Sequence, residues 1–168
     1  MNQVESTNTS LEVDIQLATE DEFIIDKEQL KQWATQAYIQ ALKDQSELNS
    51  NSTRECVIRV VDEQESENLN SKFRKKDYPT NVLSFCYEDI DDYLGDIVIC
   101  HPVVLKEAKE QQKTATEHYA HMVTHGMLHL LGYDHIEDQD AKHMEQLETV
   151  ILQNQGYPAP YFDDDITT

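Results

Sequence analysis

No apolar run in this 168-residue chain approaches the ~20 residues needed to span a bilayer. The N-terminal MNQVESTNTS also lacks the basic patch and apolar core of a secretory signal. These absences argue against membrane insertion and export, so the expected location is cytoplasmic. Cysteine is scarce: Cys56, Cys86 and Cys100 are odd in number and far apart, which excludes a disulfide framework. Each sits among β-branched or aromatic neighbours, and all three are expected to be reduced core residues. Basic residues are few as well, 13 against 33 acidic ones, for a formal charge of −20. A field of that sign repels nucleic acid and anionic membrane, so a polyanionic substrate requires a local basic patch. Lys72, Arg74, Lys75 and Lys76 are the main exception to the acidic background, with a solvated basic turn as the alternative reading. There is no repeat and no sign of a second domain. A flexible N-terminus (1–10), a single domain (11–156) and a flexible acidic tail (157–168) are expected.

What is present is periodic. Leu11, Val13, Ile15 and Leu17 alternate with polar residues, predicting a strand over 11–18 with one buried face. After Asp26, a candidate N-cap, Leu30, Trp33, Ala34, Ala37 and Ala41 share one helical face and predict a helix over 27–43. A polar loop leads to the strand CVIRVV. Asp62 and Glu65 open a short helix carrying Leu69 and Phe73, which ends in KKDYPT because Pro79 disfavours helix at Tyr78. TNVLSFCY (80–87) and LGDIVIC (94–100) are close enough to form a hairpin. Helices are predicted around 103–112, over 115–131 and near 137–155.

The helix over 115–131 carries the chemistry. Thr114 and Glu117 form a capping-box pattern at its start, and Gly132 follows its end. At about 100° per residue, Ala120, Val123, Met127, Leu130 and Leu131 fall on one side and His118, His121, His125 and His129 on the other. The expected arrangement is one buried face and one face of imidazoles. His125 and His129 stand one turn apart, the spacing at which two imidazoles bind one ion, and a positive φ at Gly132 turns the chain so that His135 joins them. His125, His129, Gly132 and His135 keep the spacing of the metzincin motif, but Gly126 replaces the glutamate that serves those proteases as general base. Peptide hydrolysis by that route is therefore unsupported. Asp134 is read as a group that orients a histidine, with general base as its alternative role. His118 and His121 are read as walls of the cleft and not as ligands.

The stretch HGMLHLLGYDH resembles the signature of the YbeY family of bacterial metal-dependent endoribonucleases. VIRVVDEQESENLN, FRKKDYPTNVLSF, LGDIVIC and HMVTHGMLHLLGYDHIED resemble that family's segments in the same order, over roughly residues 55–155. The resemblance implies an α+β, zincin-like single domain, with a mixed sheet of about four strands packed with helices. It implies one zinc ion per chain on His125, His129 and His135, and places the family's functional arginine at Arg74. It also implies cleavage of single-stranded RNA, 16S ribosomal RNA 3′-end maturation, ribosome quality control, and the small ribosomal subunit with its assembly factors as partners.

On this reading Arg74 and His125 are the catalytic residues. Arg74 grips a phosphate through its planar fork, while Lys72, Lys75 and Lys76 hold flanking phosphates against the adverse net charge. The attacking group is either water or the RNA 2′-hydroxyl. The competing readings are a zinc protease or amidase, weakened by Gly126, and a non-catalytic assembly factor with structural zinc. The latter is disfavoured because structural zinc sites are usually closed by four protein ligands.

Overall fold

The computed structural model describes residues 10–23, 25–45, 52–87, 89–134 and 136–161. Among these the chain forms an α+β fold of five helices and one mixed four-stranded sheet. In β1 (Leu11–Ala18) the alternation read from sequence puts Leu11, Val13 and Ile15 against the main core. Helix α1 (Lys27–Asp44) starts at Asp26, whose side chain accepts from the Glu28 N–H. It then carries the chain to β2 (Arg54–Val61), which pairs parallel with β1. Helix α2 (Glu63–Arg74) leads to β3 (Val82–Cys86), which forms the expected antiparallel hairpin with β4 (Tyr93–Cys100). Because β4 also pairs parallel with β2, the sheet order is β1-β2-β4-β3 and β3 is an edge.

Each face of the sheet is packed. Cys56, Ile58, Ile97 and Ile99 join Trp33, Tyr38, Met127 and Leu128 in the main core, while Val61, Leu83, Val98 and Cys100 meet Leu69 and Phe85 on the opposite face. Helix α3 (His101–Glu110) begins two residues before the predicted 103, with Pro102 in its first turn, where a missing N–H costs nothing. Helices α4 (Ala115–Leu130) and α5 (Asp138–Asn154) complete the fold.

Two details of the sequence reading need correction. Helix α4 does not bury one face only: it is wedged between α1, α3, α5 and the sheet, so His118 and His121 are buried along with Tyr119, Val123 and Met127. A helix enclosed on nearly all sides makes its polar residues interior groups that need partners. Cys56 and Cys100 are core residues as expected, but Cys86, near the end of the edge strand, is exposed.

Candidate metal centre and cleft

Helix α4 presents its histidines in a fixed orientation because both ends are secured. Thr114 and Glu117 make the capping box reciprocally, at 3.1 and 3.0 Å, and Gly132 leaves the helix at φ +99°. In the middle, Gly126 lets the helix approach the sheet: a Cβ there would lie 2.7 Å from Ile97 Cγ2 and 3.3 Å from Ser84 Oγ. The Ser84 hydroxyl instead donates to the Gly126 carbonyl at 3.1 Å. The missing glutamate thus has a packing cause, since a side chain at 126 would be driven into β4.

The Nε2 atoms of His125 and His129 face each other at 3.1 Å. Two nitrogens bound tetrahedrally to one zinc at about 2.0–2.1 Å lie roughly 3.3 Å apart, so this pair fits two vertices of such a site. His135, the expected third ligand, lies outside the described residues. Asp134 Oδ1 accepts from the Ile136 N–H at 3.2 Å.

Behind His125 stands Glu148 of α5, which the sequence reading missed. Its carboxylate is fully buried, 2.5 Å from His125 Nδ1 and 3.0 Å from His121 Nε2, and it accepts a third hydrogen bond from the Tyr161 hydroxyl. Burial raises the pKa of Glu148, but the hydrogen bonds and charge of His121 and His125 outweigh it and hold the group at about 2. Burial lowers the pKa of His121, against the pull of Glu148, and raises that of Tyr161 together with the neighbouring carboxylate. An ionised carboxylate only accepts, so His125 donates to it from Nδ1; in the neutral form of the ring, the lone pair is then on Nε2, on the side of His129. His121, His125 and Glu148 also form a group whose ligand atoms lie within 4.8 Å of one another and could hold an ion. A sequence signal for Glu148 did exist: it shares the buried stripe of α5 with Met144, Ile151 and Leu152.

These histidines open into a cleft of about 650 Å³, one wall of which includes Arg74, Lys76 and Tyr78. That wall is built by buried polar residues of α2. Ser66 exchanges hydrogen bonds with Thr80 at 2.9 and 3.0 Å, and Asn70 donates to the Tyr78 carbonyl at 2.8 Å, so the 75–80 segment is pinned to the helix. Lys75 ends α2 at φ +60°. Arg74 is exposed, donates to the carbonyls of Ser84 (3.0 Å) and Phe73 (3.3 Å), and lies over the Phe85 ring. Of the four basic residues singled out from sequence, Arg74 and Lys76 line the cleft, whereas Lys72 and Lys75 are not among its lining residues and Lys72 sits over the Phe73 ring. Cys86 lines the cleft as well, its thiol 3.8 Å from the His129 carbonyl oxygen.

Comparison with known proteins identifies the family. Residues 14–156 match the family model described as endoribonuclease YbeY, and the chain belongs to that family. Among solved structures, the chain is similar to TM1509 from Thermotoga maritima, determined in solution, with 29% sequence identity and a TM-score of 0.53. The match covers 82% of this chain and 85% of that one.

Proposed function

We propose that this member of an endoribonuclease family is a zinc-dependent, single-strand-specific endoribonuclease acting on ribosomal RNA in the cytoplasm, in 16S 3′-end maturation and ribosome quality control. The observation that carries the reading is the pairing of His125 Nε2 with His129 Nε2 at 3.1 Å, opening into the cleft that Arg74 also lines. His125, His129 and His135 would hold the ion, which when bound lowers the pKa of a water toward ~7 and polarises a phosphoryl oxygen.

The chain's own residues supply the remaining parts. Arg74 uses two N–H groups on the Phe73 and Ser84 carbonyls, which aims the guanidinium and leaves the rest of its fork for a non-bridging phosphate oxygen. Its stacking over Phe85 restrains the plane. Lys76 adds a second cation on the same wall, a local exception to a chain of charge −20. A cleft of about 650 Å³ has room for an unpaired, splayed nucleotide, which supports the reading of a single-stranded substrate. No helix among the described residues is long and apolar enough to cross a membrane.

The test is cleavage of a fluorescent single-stranded RNA, the same RNA annealed to its complement, and casein. Each is incubated with the parent protein before chelation, after chelation and after zinc is restored. The expected result is cleavage of the single strand alone, lost on chelation and recovered with zinc. Casein hydrolysis, or RNA cleavage indifferent to the chelator, would sink this reading.

A further inference from the structure

Among the described residues Glu148 is the only carboxylate buried from solvent. It lies on the apolar stripe of α5, where leucine or methionine would pack without any desolvation cost, and an ionised carboxylate there is tolerable only if several donors converge on it. Three do: His125 Nδ1, His121 Nε2 and the Tyr161 hydroxyl. The rings are locked against one another, with His121 edge-on to His125 at 6.2 Å and to Tyr161 at 5.4 Å between centroids. His125 is the member whose other nitrogen, Nε2, faces the nitrogen of a second candidate ligand.

We propose that Glu148 is a positioning residue for the metal centre, holding His125 as its Nδ1–H tautomer so that Nε2 is presented beside His129, and that Tyr161 clamps this carboxylate from the segment beyond α5. The inference rests on the reading that His125 and His129 hold the ion. Glu148 then acts on the metal only through His125, as carboxylates behind metal-binding histidines commonly do. Tyr161 brings residues after α5 into the working site, because its ring lines the cleft while its hydroxyl fastens the group behind it. The competing arrangement makes Glu148 itself a ligand, together with His121 and His125.

Three measurements on the full chain decide between them. In metal-free parent protein, nitrogen-15 NMR of the imidazoles should report His125 as the Nδ1–H tautomer, and Glu148→Gln, with one acceptor oxygen in place of two, should erode that preference. An Nε2–H tautomer in the parent overturns the proposal without need of any variant. Zinc affinity, read by competition with a chromophoric chelator, should fall about 10–100-fold in Glu148→Gln, the usual cost of losing such a partner. Tyr161→Phe, which removes only a hydroxyl, should weaken binding by a few-fold. Unchanged affinity in both variants overturns the proposal. In cobalt-substituted protein the visible bands, which report the inner ligands, should keep their positions in Glu148→Gln. A change of bands, with affinity retained in His129→Ala, makes Glu148 a direct ligand and refutes the positioning role. A parent that binds neither zinc nor cobalt defeats the metal reading itself, and the tautomer measurement still decides whether Glu148 orients His125.

Discussion

Helix α4 uses the same pair of residue types at two points along its length for different purposes. Near its start, His118 Nε2 meets Glu107 at 2.8 Å. Two turns on, His125 Nδ1 meets Glu148 at 2.5 Å. Both carboxylates have depressed pKa values: burial pushes each up, but the histidine hydrogen bonds and charge prevail. The difference lies in the second nitrogen. His118 is 2% exposed, its Nδ1 is buried without a partner, and Glu107 is further engaged by Asn81 Nδ2 at 3.0 and 3.2 Å, so this pair ties α3, α4 and the start of β3 together. His125 has a side chain 21% exposed to the cleft and an Nε2 turned toward His129. A histidine–carboxylate pair is therefore not a functional signature by itself; it becomes one when the remaining nitrogen looks into a cavity beside another donor.

Substituting the two histidines should separate their roles, with the largest effect at the cleft. His125→Ala is expected to lose zinc by more than the about 10–100-fold that removal of an outer partner costs, and to abolish cleavage. His118→Ala should keep full zinc content yet unfold about 1–3 kcal/mol more easily, the cost of leaving Glu107 short of a buried partner. Elemental analysis and denaturant titration read the two quantities independently. Zinc lost from His118→Ala, or kept by His125→Ala, would invert the comparison.

The next effect in size concerns Arg74, which lines the same cleft. Arg74→Ala should keep its zinc and stay within about 0.5 kcal/mol of the parent in stability, as exposed positions generally do. Its single-strand cleavage should nonetheless fall by on the order of 10²-fold, the scale of one positioned electrostatic contact in a transition state. Arg74→Lys preserves the charge but cannot reach two carbonyls and a phosphate with one planar fork, so it should resemble the alanine variant. Near-parental cleavage by the lysine variant would show that charge alone suffices.

The contrast between these regions also shows what periodicity reveals and what it hides. Strands, helices and the Thr114–Glu117 cap were legible because backbone pairing and amphipathic spacing are local properties of the chain. The pairing of His125 with His129 was legible because residues four apart on a helix must be neighbours. Enclosure was not: a helical wheel sorts residues into faces but cannot tell that α3 and α5 cover the imidazole side, so His118 and His121 read as cleft walls and only His121 lines the cleft. Cys86 was misread for a related reason, since strand-like neighbours do not disclose that the strand is an edge. Glu148 lies 23 residues from His125, and its part depends on how α5 packs across α4. Tyr161, in a stretch that reads as tail, carried no periodic signal at all.

A third histidine–carboxylate pair offers the smallest test of the same distinction. Asp44, the last residue of α1, accepts from the Tyr133 hydroxyl at 2.6 Å and from His143 Nε2 at 2.8 Å, and the Tyr133 and His143 rings stack with centroids 5.8 Å apart. Tyr133 directly follows Gly132, so this cluster ties the residue after the helix-ending turn to the end of α1. The His143 side chain is 53% exposed, which keeps the electrostatic gain small. Burial raises the Asp44 pKa, but the Tyr133 and His143 hydrogen bonds and the His143 charge outweigh it and leave the pKa lowered. A carboxyl whose folded pKa is depressed binds protons more readily in the unfolded chain. Its stabilisation is therefore present above the unfolded value of about 3.9 and is lost as pH falls through the folded one. Asp44→Asn should then be less stable than the parent by under about 1 kcal/mol near pH 7. The gap should narrow as the pH drops below about 4, with zinc content unchanged at neutral pH. Thermal unfolding of both proteins across that range reads the difference directly, and a gap that failed to narrow below about pH 4 would show that the Asp44 charge does not brace the turn.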